Sequence, residues 1–332
     1  MENPENSNDN LHFDNRIDLS ELKAAVEAIK AQLNKIIVGQ DDFIELLIVN
    51  LLANGHVLIE GVPGIAKTIT AKLFAKAIKT NFSRIQFTPD LMPSDVLGTS
   101  IFNLKTSEFE FKKGPVFSNV ILIDEINRAP AKTQSALFEV MEERQITIDG
   151  NKFTMDFPFV VLATQNPLEQ EGTYALPEAQ LDRFLFKIKV DYPNLEEEIL
   201  ILKTHDQRKL NLPLDEIESV LTVESLAKFK SQVQDIIIEE KLFGYIAQLV
   251  EKTRNHPHLY LGASPRASIA IMNASKAFAA INGRDFVTPD DIKKTLTPVM
   301  RHRIILSPER EMEGMTPENV IDMISKSVEV PR

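Results

Sequence analysis

From His56 onward, short apolar runs alternate with stretches of helical period. His56–Glu60 (HVLIE), Val120–Ile123 (VILI) and Phe159–Thr164 (FVVLAT) are too apolar for surface strands. They predict central parallel strands buried on both faces. Ile69, Leu73, Phe74 and Ala77 recur at helical spacing and predict a helix from Thr68 to Thr80. Leu22, Ala25, Val26, Ile29 and Leu33 form one stripe and predict an amphipathic helix over Leu19–Ile36. Two segments break the alternation. Thr99–Phe111 has period two around a polar turn near Lys105-Thr106, and Gln145–Met155 turns at Asp149-Gly150, a strong hairpin signal. Tyr192-Pro193-Asn194 reads as a linker. Beyond it the pattern is helical, with Ser264-Pro265, Thr288-Pro289 and Thr316-Pro317 at three helix starts. The expected fold is therefore α/β: a parallel-sheet core with helices on both faces over residues 19–191, then a small all-α domain over 192–332. Residues 1–18 are polar, rich in Asn, Asp and Glu, and are expected to form a disordered arm.

The first apolar strand runs into Gly61-Val62-Pro63-Gly64-Ile65-Ala66-Lys67-Thr68, followed by Ile69. Strand, glycine-rich turn and helix make the context of a phosphate-binding loop, whose backbone N–H groups wrap an anion at a helix N-terminus. Lys67 would reach the β- and γ-phosphates, and the Thr68 hydroxyl would ligate magnesium. The usual pattern has glycine before the lysine, and here it is Ala66. A methyl is harmless there in the right-handed region and strained at positive φ. The second apolar strand ends in Asp124 and Glu125, at the edge where open α/β sheets bind ligands. Asp124 would hold magnesium through water, and Glu125 would act as general base on the attacking water. Together the two strings point to ATP hydrolysis.

Further strings follow in a set order: Ala163-Thr164-Gln165-Asn166-Pro167, Leu176-Pro177-Glu178-Ala179-Gln180-Leu181-Asp182-Arg183-Phe184, and Ser264-Pro265-Arg266-Ala267. With GVPGIAKT and DEINRA, this ensemble resembles the MoxR family of AAA+ P-loop ATPases, and it covers the chain from about Leu19. The family's own loop has Ala at the Ala66 position. The resemblance implies that Asn166 is a sensor orienting water and that Arg183 is an arginine finger reaching the neighbouring subunit's ATP. It also implies that Arg266 is a second sensor on a lid helix over the subunit's own phosphate, and that Ile37 and Val38 contact adenine. Asn166 before Pro167 also suits a plain turn, and both arginines suit surface ion pairs. Gln86, at the expected end of a strand, is a candidate coupler to Glu125. The two hairpins resemble inserts of the branch of AAA+ proteins that includes MoxR. They either project toward a client or simply extend the sheet.

Composition narrows the setting. Of 332 residues, 43% are hydrophobic and 26% charged, which fits a globular protein without a spanning segment or signal peptide. There is no cysteine, which removes disulfides and thiolate metal sites and fits a cytoplasmic protein. The net charge of −11 comes without a basic stripe, so a nucleic-acid partner is not expected. By resemblance, the cofactors are ATP and magnesium and the subunits associate into a ring, expected to be hexameric. The partner expected is a protein client, one type carrying a von Willebrand factor A domain, matured by chaperone-like remodelling. The competing readings are a nucleic-acid motor or transcriptional activator, an ATP-gated scaffold with little turnover, and a magnesium-chelatase motor subunit.

Overall fold

The computed structural model describes residues 17–105, 107–167, 172–208 and 212–331. The expected arm lies almost wholly outside these residues. The described chain opens with α1 (Ser20–Asn34) and α2 (Asp41–Leu52), followed by β1 (Val57–Glu60), α3 (Lys67–Ala77) and β2 (Phe82–Gln86). A short α4 (Pro93–Leu97) leads into the hairpin β3 (Gly98–Asn103) and β4 (Glu108–Lys113). Next come β5 (Val120–Asp124), α5 (Ala131–Glu143) and the second hairpin, β6 (Gln145–Ile148) with β7 (Asn151–Thr154). β8 (Val160–Gln165), α6 (Glu178–Leu181) and β9 (Phe186–Lys189) complete the sheet.

Five strands pair in the order β2-β5-β8-β1-β9, all parallel. Alternation along each strand feeds two separate cores. Val57, Ile59, Val120 and Leu122 join the core under α1 to α3, whereas Leu58, Ile121 and Ile123 join the one under α5. That double burial is why these strands read as unbroken apolar runs.

Both hairpins form where the pattern places them. Asp149 (φ +50°) and Gly150 (φ +78°) are both left-handed, as a two-residue type I′ turn requires. Phe111 stacks on Phe153 at 4.5 Å, so the hairpins support each other side by side. At the end of the first hairpin Phe102, Leu104 and Phe109 are exposed.

After residues 191–194 the chain turns helical, with α7 (Leu195–Arg208), α8 (Val223–Gln234) and α9 (Glu240–Arg254). A short strand β10 (Leu259–Leu261) pairs with β11 (Ile305–Leu306) around α10 (Pro265–Ile281) and α11 (Pro289–Met300). α12 (Pro308–Met312) and α13 (Pro317–Ser327) close the described chain. Ser264, Thr288 and Thr316 stand at the N-caps of α10, α11 and α13, each followed by proline. α10 packs on α1, α2 and α8, so one continuous apolar core joins the helical part to the sheet. No described helix is long and apolar enough to cross a membrane.

Candidate active site

The C-terminal ends of the parallel strands share one edge. Because β1 lies inside the sheet, the phosphate loop that follows it lies on that edge too. Glu60 is opposite Gln165 of β8, and the Gly61 N–H donates to the Gln165 carbonyl at 3.3 Å. Asn166 follows directly and is nearly buried. Asp124 and Glu125 come next across the edge, then Gln86, which is opposite Asp124 in the register. Residues spread over a hundred positions of sequence thus converge at the place where open α/β sheets bind ligands.

Within the loop, Gly61 has no room for a side chain, since a Cβ would meet the Val190 carbonyl at 2.7 Å. Gly64 has φ +89°, a conformation that favours glycine. Ala66 has φ +61° and ψ 12°, so the strained alternative for this residue holds. An alanine in that region costs roughly 1 kcal/mol relative to glycine. α3 begins immediately afterwards at Lys67, so a helix N-terminus, the end that favours an anion, meets the loop. Lys67 Nζ donates across the loop to the Gly61 carbonyl at 2.5 Å, and Thr68 is half-buried beside it. Gln40 Nε2 ties the α1–α2 connection to the loop by donating to the Ile65 carbonyl at 3.0 Å. Between them lies a cavity of about 240 Å³, lined by Ile37, Val38, Ile65, Ala66, Ile69 and Ile201. Val62 and Pro63 complete the loop, Val62 packing on the core and Pro63 exposed.

The two carboxylates are fixed differently. Asp124 accepts from Arg84 Nε at 2.6 Å and from the Thr164 hydroxyl at 3.2 Å. Glu125 sits on a left-handed backbone (φ +57°, ψ 53°), and its N–H donates to the Thr164 hydroxyl at 3.0 Å. Its Oε2 accepts from Gln86 Nε2 at 2.6 Å and pairs with Arg128 Nε at 3.1 Å. Two non-glycine residues in the left-handed region, Ala66 and Glu125, therefore meet at this edge, a form of backbone strain that concentrates at functional sites. Among the described residues no group of three or more histidines or carboxylates could hold a metal. Any cation here would depend on Thr68 and Asp124.

Arg183 and Arg266 are not at this edge. Arg183 precedes β9, so it lies at the N-terminal edge of the sheet, where Nη1 donates to the Phe138 carbonyl at 2.5 Å. Arg266 Nη2 pairs with Glu142 Oε1 at 3.0 Å, and Arg183 Nη1 lies 3.8 Å from the other Glu142 oxygen. Glu142 lies in the last turn of α5 near Arg144, whose guanidinium donates to Asn54, just before β1. The length of β1, on the order of 13 Å at the usual rise, separates this cluster from the phosphate loop. Arg266 was expected over its own subunit's phosphate; in this structure it pairs with Glu142 instead, and the helix carrying it packs on α1 and α2. A larger cavity of about 580 Å³, with Asn54, Phe157, Lys230 and Lys276 in its wall, opens beside the segments that precede β1 and β8 and contains none of the predicted residues.

Thr164, Gln40, Arg128 and Glu142 were not legible as site residues. Thr164 and Arg128 lie inside motifs quoted for other members, and side-chain direction decides their part. Glu142 and Gln40 carry no local signal.

The model of an ATPase family associated with various cellular activities (AAA) matches residues 56–186, and an AAA lid domain matches 251–324. The uncharacterised protein YeaC of Bacillus subtilis is 47% identical over 93% of this chain and 95% of its own. Chaperone MoxR1 of Mycobacterium tuberculosis is 43% identical over 91% of this chain and 81% of its own. Protein MoxR of Paracoccus denitrificans is 31% identical over 95% and 98%. The crystal structure of a candidate ATPase from Cytophaga hutchinsonii superposes with a TM-score of 0.87 at 41% identity, covering 94% of this chain and 97% of that one.

Proposed function

The chain belongs to the MoxR family of AAA+ ATPases, and from that premise we propose that it hydrolyses ATP with magnesium in a site completed by a neighbouring subunit. The observation that carries this proposal is the placement of Arg183 and Arg266 together on Glu142, at the sheet edge opposite the phosphate loop. That placement, away from their own subunit's loop, supports a role for both at the loop of a second copy. Such a head-to-tail contact closes a ring when its rotation permits, and the family resemblance favours six subunits. α7 exposes Leu195, Ile199 and Leu202 close to the nucleotide cavity, an apolar stripe that supports contact with another copy.

In this proposal the division into core (19–191) and lid (192–332) puts the adenine between them, against Ile37, Val38 and Ile201. Lys67 exchanges the Gly61 carbonyl for the β- and γ-phosphates. The residues present fit a magnesium ion, which the Thr68 hydroxyl would help to hold. Asp124, whose oxygens are oriented by Arg84 and Thr164, would be its carboxylate partner. When bound, magnesium neutralises charge on the β- and γ-phosphates. Asn166 orients the attacking water and Glu125 takes its proton, so that ATP and water give ADP and inorganic phosphate. The neighbour's Arg183 and Arg266 stabilise the charge that develops on the transferred group and on ADP; loss of one such arginine costs on the order of 10³-fold or more in related systems. The relative named Chaperone MoxR1 supports a protein client. So does the exposed ridge of Phe102, Leu104 and Phe109.

Substitutions separate binding from turnover. Lys67→Ala should abolish nucleotide binding. Glu125→Gln, Arg183→Ala and Arg266→Ala should each keep ADP binding in the isolated subunit and lose turnover. Loss of ADP binding in Arg266→Ala, to the same degree as in Lys67→Ala, would return Arg266 to its own subunit's site and sink the shared assignment.

A further inference from the structure

Arg303, in the turn after α11, is buried at 8% exposure, and every N–H of its guanidinium is used. Nε donates to Asp182 Oδ1 at 2.7 Å. Nη1 donates to the carbonyls of Leu185, at 3.1 Å, and Val299. Nη2 donates to the carbonyls of Asp182, at 3.1 Å, and Phe184, at 2.6 Å. The buried ring of His302 adds a 3.0 Å contact from Nε2 to the Phe184 carbonyl. All but the Val299 contact hold the segment that contains Arg183. The second oxygen of Asp182 accepts from the Ser264 hydroxyl at 2.8 Å, and the same hydroxyl oxygen accepts from the Arg266 N–H at 3.2 Å. One connected network therefore runs from Arg303 through Asp182 and Ser264 to the backbone of Arg266, with Arg183 inside it.

Holding the fold together does not require this device. A buried ion pair stabilises no better than apolar side chains of similar volume, but it fixes direction through many donors. Direction matters at this spot. The guanidinium groups of Arg183 and Arg266 converge on one carboxylate, Glu142, and two like charges that close tend to drift apart unless their backbones are tied. We propose that Arg303, with Asp182 and Ser264, forms a set of positioning residues that lock Arg183 and Arg266 into one rigid unit and present both to the neighbouring subunit's ATP together. This rests on the shared-site proposal above. The three residues touch no nucleotide, and they act by placing the two arginines.

The test is complementation between two defective full-length chains mixed before assembly. Ser264→Ala and Arg303→Lys keep an intact loop and Glu125 but lose the lock. Glu125→Gln loses the base but offers intact arginines. Alone, Ser264→Ala should turn over about tenfold slower and Arg303→Lys about 100-fold slower, the loss expected for a misplacement near 1 Å, each with unchanged KM for ATP. Ser264→Thr, which keeps the hydroxyl, should restore the rate. Mixed with Glu125→Gln, both slow variants should regain turnover well above either parent, because their loops then meet intact arginines. Arg183→Ala with Glu125→Gln is the control. If the control complements and the Ser264 and Arg303 variants do not, or if those variants turn over normally alone, the positioning role is wrong. If the control itself fails to complement, the shared site falls and takes this inference with it. Ser264→Ala is half-buried and keeps the test decisive should Arg303→Lys fail to fold.

Discussion

Removing the Gln86 amide should make the free enzyme faster. Glu125 Oε2 sits 2.6 Å from Gln86 Nε2 and 3.1 Å from Arg128 Nε. Gln86 ends β2, the edge strand, and the order β2-β5-β8-β1 puts three strand spacings between it and the strand that feeds the phosphate loop. That is on the order of 14 Å, so the tether draws the base away from the phosphates. A hydrogen bond to a charged acceptor contributes about 1.5–3 kcal/mol when shielded. The Glu125 side chain is 30% exposed and Arg128 remains in place, so about 1 kcal/mol is the appropriate figure here. At RT near 0.6 kcal/mol this corresponds to roughly a fivefold gain. Steady-state phosphate release at saturating ATP should therefore rise about fivefold in Gln86→Leu, with KM unchanged. Gln86→Leu with Arg128→Leu should depart from additivity, because both partners hold the same oxygen. A fall in kcat for Gln86→Leu would refute the tether and make Gln86 a support for the working position of Glu125.

Ala66→Gly should relieve the left-handed backbone at φ +61° and stabilise the fold by about 1 kcal/mol, raising Tm by roughly 2 °C. A Tm that stays level or falls would show that the methyl is tolerated without strain. Stability should also fall with acid. Burial pushes His56 down to about 3 and holds His302 well below the ordinary histidine value. Both then fold neutral, so their contribution is full above the unfolded value near 6.5 and is lost as pH drops below it. For His56 alone this amounts to about 2 kcal/mol between pH 6.5 and 5. Urea midpoints should shift down accordingly between pH 7 and 5, and equal midpoints would contradict the neutral, buried assignment.

Most of the fold was legible because the sheet is buried on both faces. The apolar runs at Val57, Val120 and Val160 leave few alternatives to central parallel strands, and Asp149-Gly150 fixes its turn through backbone conformation alone. The glycine-rich turn between β1 and α3 and the acidic end of β5 lie where the sequence places them, because their residue types are set over a few consecutive positions. What sequence could not give was placement over long separations. The docking of α10 against α1 and α2 depends on the fit of Ala-rich and Leu/Ile-rich faces, which no local spacing records, and that docking sends Arg266 to the far edge. Arg303 was invisible for the same reason. Within Arg301-His302-Arg303 it looks like surface charge, and only the fold buries it against Asp182.

The central claim is that one subunit's ATP is hydrolysed with another subunit's arginines. ATP turnover per subunit, measured against protein concentration for wild type, Glu125→Gln and Arg183→Ala, tests it most directly. A specific rate that climbs with concentration in wild type and stays near zero in both variants is the predicted result. A specific rate that is independent of concentration, and that survives Arg183→Ala, would contradict it.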